Sequence, residues 1–347
     1  MYDSYNEVFK QGPELHKVLK TLKSAQPKIQ AFFRDNQYDE ILCVACGSSY
    51  WASLSACMTI QEELGVRCTA VKAGEMVMNP DYFKKAYRHP LVIVPSRSGS
   101  TTEVVQAVEM LKDTYACKIA ALVEYPDSKV EALADLCFNL PWVNEISVCQ
   151  TRSFCAMYLG MVLLGALAVN DSALVDDLDL YLENFAVHAQ EAEETIRFLL
   201  KDFADAESLV ALGHGKQYGV AVEGAYINIE MAQLAANYFS LLEWRHGPIV
   251  LADPHYLVSI LSGSQSDRPF EENTAQETQK KGAKVLNISA EGAFDHADYR
   301  ISLHRPAAKE TVALFSVMVL QGHAHLKAIE KGLDPDHPTE LLPWISI

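Results

Sequence analysis

The stretch Leu91–Lys112, LVIVPSRSGSTTEVVQAVEMLK, changes periodicity within a few residues. Leu91 to Pro95 is an apolar run rich in β-branched side chains. It is too short for a helix and predicts a buried strand. From Glu103 onward the apolar residues fall at Val104, Val105, Val108 and Leu111, which is helical spacing. Between them, Ser96-Arg97-Ser98-Gly99-Ser100-Thr101-Thr102 sets five hydroxyls around one glycine. A strand that feeds such a turn and then a helix N-terminus gathers backbone N–H groups, the positive end of the helix dipole and several O–H donors at one point. That is an anion site, and phosphate is its usual occupant. The plainer role, an N-cap by Ser98, Thr101 or Thr102, needs only one of the hydroxyls.

The same unit recurs along the chain. Glu40 to Cys46 reads as a strand, Gly47-Ser48-Ser49-Tyr50 as its turn, and Trp51 to Leu64 as a helix stopped near Gly65. Thr69–Val71, Ile119–Val123 and Leu136–Leu140 are further strands, and a long apolar helix is expected over Arg152–Val169. A second series begins at Ser208. It has a strand at Leu209–Leu212, a turn at Gly213–Gly219, a helix over Val220–Ala236, and strands at Leu257–Leu261 and Val285–Ile288. The Leu257–Leu261 strand ends in Ser262-Gly263-Ser264-Gln265-Ser266, where Ser96–Ser100 stood in the first series. Strands alternating with helices predict an α/β protein with two doubly wound parallel sheets in tandem, helices on both faces. Two halves of similar order imply duplication. The second half has fewer hydroxyls after its first strand and reads as largely structural. The expected boundaries are an N-terminal helix over 1–36, a first domain at 37–170, a helical linker at 171–206, a second domain at 207–331 and a tail at 332–347.

Ligands in such sheets lie beyond the strand C-termini, near the switch in strand order. Both serine-rich turns of the first half sit there and can face one crevice. A net charge of −16 argues against a nucleic-acid surface or an anionic membrane, so local groups must hold an anionic ligand. No window reads as an unbroken apolar run of bilayer length, and the N-terminus lacks a signal-peptide core, so a cytoplasmic protein is expected. Gly213-His214-Gly215 followed by Gly219 is not dinucleotide spacing, and no cofactor is expected. All eight cysteines precede residue 156. Cys43 and Cys46 spell C-x-x-C, but within a strand and without a second pair, so no metal site is expected.

The motifs CGSSY, PSRSGSTTE and E-x15-H-G-P, in this order, resemble the sugar isomerase (SIS) family in its tandem arrangement. That is the layout of the isomerase half of glucosamine-6-phosphate synthase and of the ketosamine-phosphate deglycases. The resemblance runs from about Glu40 to the tail. It implies that Ser48, Ser49, Ser96, Arg97, Ser98 and Thr101 hold the phosphate of a sugar phosphate, and that Val148 and Gln150 touch the sugar. It also implies that Glu230 transfers the proton and that His246 serves ring opening from a neighbouring subunit, which makes the protein a homodimer with shared active sites. The chemistry agrees, because moving a proton between C1 and C2 needs a poised carboxylate and ring opening an acid–base group near neutrality. Glu230 has Ile227, Ile229, Met231 and Leu234 as sequence neighbours, which would raise its pKa if they enclosed it. Glu243 would either orient His246 or pair with Arg245.

Departures narrow the expectation. The chain starts Met1-Tyr2-Asp3, without the synthase's glutaminase domain, so ammonia from glutamine is not expected. Ile227 and Pro343 stand where the synthase carries lysines. Without an amine to hold a ketose as a Schiff base, the substrate should bring its own nitrogen. The expected activity is a ketosamine-6-phosphate deglycase working through a C1/C2 proton shift. The alternatives are an amino-sugar-phosphate deaminase or aldose–ketose isomerase, and a non-catalytic sugar-phosphate sensor.

Overall fold

A computed structural model describes residues 2–291 and 296–341; Pro343 lies outside the described residues. The chain divides into two compact units. One is built from residues 13–145 and 152–179, the other from residues 2–12, 146–151 and 180–341.

The first unit holds five strands: β1 (Glu40–Ala45), β2 (Cys68–Lys72), β3 (Pro90–Ser96), β4 (Ile119–Val123) and β5 (Leu136–Asn139). They form one parallel sheet in the order β2-β1-β3-β4-β5. The second unit holds β6 (Ser208–Gly213), β7 (Ala235–Ser240), β8 (Tyr256–Leu261), β9 (Lys284–Ser289) and β10 (Tyr299–Ser302). Their order, β10-β9-β8-β6-β7, is the same topology. The duplication expected from the sequence is therefore a duplication of strand order, with a switch point between β1 and β3 and another between β6 and β8.

Central strands β1, β3, β4 and β6 are buried at every residue, as a sheet covered on both faces requires. In the first unit, Leu42, Val92 and Val94 of the sheet pack with Val104, Val108 and Leu111 of the helix Thr102–Tyr115. In the second unit the helices Tyr218–Ala232 and Lys309–Glu330 approach so closely that a Cβ on Gly224 would overlap Leu320. Two residues of the latter helix are buried imidazoles. Burial, with Lys327 nearby, drives His323 down to about 3, and its Nδ1 lies 2.7 Å from Asn228 Oδ1. The tail residue Asp336 accepts the amides of Asp3 (2.7 Å) and Ser4 (2.9 Å), which ties the first helix to the end of the chain.

Several elements differ from the sequence reading. The N-terminal region is three helices, Asp3–Phe9, Gly12–Ser24 and Gln26–Asp35, rather than one. The helix expected to reach Ala236 stops at Ala232, where Gln233 turns left-handed, and β7 follows. β10 is short and was not expected. Two helices, Arg152–Val169 and Lys309–Glu330, are in fact long and apolar enough to cross a bilayer. Both are core helices, 83% and 94% buried over their most apolar windows.

Candidate active site

In the first unit, the loop after β3 folds on its own hydroxyls. Ser96 Oγ accepts the Gly99 amide (3.1 Å), Ser98 Oγ accepts the Ser100 amide (3.2 Å), and Ser98 Oγ lies 3.2 Å from Thr101 Oγ1. Gly99 has φ +58°, and a side chain there would also run into Ser128. The helix that follows starts at Thr102 with Thr101 as N-cap, yet no side chain caps it. The hydroxyls are thus occupied within the loop rather than on the helix end, whose dipole and amides stay available to an anion. Ser96 and Arg97 are buried, while Ser98 and Thr101 are partly exposed.

The β1 loop has the same form. Its helix runs Gly47–Leu64, four residues longer at the start than the sequence suggested, so Ser48 and Ser49 lie in its first turn. No side chain caps this helix either, and Gly47 has φ +54°. β1 and β3 are paired neighbours, with Leu42 opposite Val92 and Cys43 opposite Ile93. Their C-terminal loops therefore emerge side by side at the switch point. Beyond β1 and β2 opens a crevice of about 430 Å³, lined by Gly47, Tyr50, Trp51, Lys72, Glu75 and Glu103 among others.

One residue in this region escaped the sequence reading. Glu124 follows β4, beside the end of β3 (Ser96 pairs with Val123), and is 1% exposed. Burial pushes its carboxyl up to about 8, Glu145 adds to the rise, and Ser153, Arg97 and Arg152 oppose it. The native state therefore keeps a proton that the unfolded chain loses above its ordinary carboxylate range. Glu124 contributes most to stability below pH 4.5, and this contribution falls as pH rises toward 8. Glu124→Gln is expected to remove that slope, gaining on the wild type by about 1 kcal/mol per pH unit across this window. Urea unfolding at pH 5.5 and 7.5 checks it; parallel stability changes in the two proteins would refute the assignment.

The second unit carries the other expected residues. Glu230 lies in the last turn of Tyr218–Ala232 and is partly exposed. Its sequence neighbours do not wrap it, because Ile227 and Met231 turn into the core while Ile229 is 42% exposed. Tyr226, one turn earlier, is raised by burial, then by Tyr238, and also by the charge of Glu230. Ile227, which the sequence reading set where the synthase carries a lysine, is fully buried. His246 ends a short 3-10 turn, Glu243–His246, and is exposed. Gly247 follows with φ +139°, a conformation only glycine adopts readily. The partner of Arg245 is Glu277, through two hydrogen bonds of 2.6 and 2.8 Å. Of the two roles expected for Glu243, this removes the pairing with Arg245. The Arg245–Glu277 pair arises because the helix Arg268–Gln279, distant in sequence, presents its carboxylate to this turn.

Val148 and Gln150 belong to a segment held from both ends of the chain. The Ile146 amide donates to Glu7 (2.6 Å), Ser147 Oγ also donates to Glu7, and the Val148 amide donates to the Asp336 carbonyl (2.9 Å). Gln150 Oε1 is buried without a hydrogen-bond partner. Among the cysteines, the thiols that gather are Cys43, Cys57 and Cys68, not the C-x-x-C pair; Cys43 Sγ and Cys68 Sγ are 3.9 Å apart. Hydrogen bonds from Cys43 and Cys57 hold Cys68 below the usual thiol range.

Comparison with known proteins follows the same lines. The SIS domain family matches residues 36–170 and 202–329. Glutamine–fructose-6-phosphate aminotransferase (isomerizing) of Salmonella typhi is 25% identical over 326 residues, 90% of this chain and 52% of that protein. The chain thus spans about half the length of the curated relatives it matches. Glucosamine-6-phosphate deaminase of Thermotoga maritima superposes with a TM-score of 0.83 at 27% identity, covering 99% of this chain and 100% of that one. Tagatose-6-phosphate ketose/aldose isomerase of Escherichia coli shares the fold, with a TM-score of 0.79 at 22% identity over 99% and 97% of the two chains.

Proposed function

The chain belongs to the SIS domain family, and on that premise we propose that it releases the amine from a phosphorylated amino sugar, as a ketosamine-6-phosphate deglycase. The observation that carries the reading is the β3 loop, whose hydroxyls leave the following helix uncapped. An anion completes such a loop, and Ser96, Arg97, Ser98 and Thr101, with Ser48 and Ser49, would hold a sugar's phosphate there. Val148 and Gln150 would touch the sugar chain, with the unpaired Gln150 oxygen accepting from a hydroxyl.

His246, from a neighbouring subunit of a homodimer, assists ring opening of the substrate. Glu230 takes a proton from C1, the carbon bearing nitrogen, and the C1–H electrons form a C1=C2 double bond as the C2 oxygen takes a proton from the substrate's ammonium group and becomes an enol. Return of the proton from Glu230 to C2, with the nitrogen lone pair closing on C1, leaves a protonated imine at C1. Water adds to C1, the C–N bond breaks, and an aldose 6-phosphate and a free amine leave. Glu230 is regenerated as a carboxylate. Ile227 puts a buried apolar group where the synthase carries a cation, and Pro343, at its other lysine position, offers no amine for a Schiff base, which favours a substrate that brings its own nitrogen. Such a reaction on a phosphorylated metabolite suits a cytoplasmic enzyme.

A second reading draws on the likeness to the Thermotoga deaminase. On a 2-amino aldose phosphate the same carboxylate would move the proton from C2 to C1, and water would release ammonia and a ketose 6-phosphate. Incubation with an N-substituted fructosamine 6-phosphate and, separately, with glucosamine 6-phosphate tests both. Glucose 6-phosphate with free amine is the expected product pair, detected by mass. Fructose 6-phosphate with ammonia would replace the first reading by the second, and no product from either substrate would overturn both.

A further inference from the structure

Beyond the C-terminal ends of β8 and β9, the second unit holds a cleft of about 520 Å³, and neither Glu230 nor His246 lines it. Its place repeats that of the β3 loop in the other sheet. Strand β8 runs into Ser262-Gly263-Ser264-Gln265-Ser266 and then into the helix Arg268–Gln279. The opposite wall is the segment 306–309, which opens the 22-residue helix Lys309–Glu330. Arg268 and Lys309 therefore stand at two helix N-termini, where an anion is favoured. Both side chains are partly exposed, with Glu272 3.4 Å from Arg268 and Asp267 3.6 Å from Lys309.

The floor of the cleft has the opposite character. Asn287 is fully buried, and its amide donates to Ser262 Oγ (2.9 Å) and to the Ile260 carbonyl (3.3 Å), leaving Oδ1 without a partner. Ser289, 5% exposed at the end of β9, has no hydrogen-bond partner for Oγ. Buried oxygens left unpaired are costly and uncommon. The two residues that carry them, Asn287 and Ser289, both line this cleft, which points to a ligand with donors. Glu271, buried and already accepting from Ser262 Oγ (2.7 Å) and the Gly263 amide (3.2 Å), and Glu291 also line it. Inorganic phosphate would leave the oxygens unpaired, so the ligand must bring donors as well as an anion for the two helix N-termini.

We propose that this cleft binds an amino-sugar phosphate at a second site apart from Glu230, with its phosphate on Arg268 and Lys309 and its amine and hydroxyls on Asn287, Ser289 and the carboxylates. The proposal does not depend on the reaction assigned above. Equilibrium dialysis with 2-amino-2-deoxyglucitol 6-phosphate, an open-chain analogue with no carbonyl to react, tests it. Two molecules per chain are expected. Arg268→Gln with Lys309→Gln should weaken one of them at least tenfold, and Ser98→Ala with Thr101→Ala should weaken only the other. Ser289→Ala should weaken the same site as the Arg268 and Lys309 pair while the thermal midpoint holds or rises, because it deletes an unpaired buried hydroxyl. Inorganic phosphate, and glucitol 6-phosphate without the amine, should bind that site more weakly. A single molecule per chain, lost with Ser98 and Thr101 and indifferent to Arg268 and Lys309, overturns the second site and leaves the first. Binding that follows Arg268 and Lys309 but ignores Ser98 and Thr101 upholds the second site and sinks the phosphate role of the β3 loop.

Discussion

Glu230→Gln is expected to lower turnover of an amino-sugar phosphate by about 10²–10⁴-fold, the range a positioned general base supplies. The substitution keeps the size and the shape of the side chain but removes the carboxylate that we propose accepts the C1 proton. Glu230 is partly exposed on the last helical turn, so the thermal midpoint should move little. Since the proposal places substrate binding on the β1 and β3 loops, KM should change far less than kcat. Steady-state kinetics on the substrate identified by product analysis decide the matter. Full activity in the variant would remove Glu230 from the reaction, while a parallel collapse of kcat and thermal midpoint would make its role structural.

The second large effect concerns stability. Lys216 Nζ and Glu310 Oε1 are 2.5 Å apart, and the two residues are 8% and 4% exposed. The pair joins the turn after β6 to the first turn of Lys309–Glu330, where the Glu310 carboxylate also meets the positive end of that helix. Gln217 reinforces the junction by donating to the Lys309 carbonyl (2.9 Å). Lys216→Met would take the cation away from a buried carboxylate and is expected to cost about 3–5 kcal/mol. Adding Glu310→Leu should recover most of that loss, because two apolar groups that pack in place of a buried ion pair are often nearly neutral. Urea unfolding of the single and double variants gives the cycle. A double variant as unstable as the sum of its parts would mean the pair carries no mutual interaction.

Neither member of that pair was legible in the sequence. Lys216 sits in a glycine turn and Glu310 at a helix start, with ninety-four positions between them. No local pattern links them. Glu124 has the same history: one acid after an apolar strand, whose raised pKa comes from the burial and the Glu145 charge that folding brings to it. β7 was missed, its first two residues falling in the expected helix, because this sheet-edge strand has no fully buried residue and so lacks the apolar run that marks a central strand. The fully buried strands β1, β3, β4 and β6 were each located to within a residue or two, since burial on both faces writes a continuous apolar run.

Local order thus came from the sequence alone: strand, hydroxyl-rich turn and helix, twice over. Those features depend on backbone propensities and near-neighbour hydrogen bonds, which a chain carries wherever it lies. Folding decided what depends on distance in space. It chose Glu277 as the partner of Arg245, gathered Cys57 and Cys68 around Cys43 in place of Cys46, and left two oxygens of β9 unpaired over a cleft. Each of these follows from desolvation and contact between segments far apart in the chain, terms that take a value only once the sheets have formed.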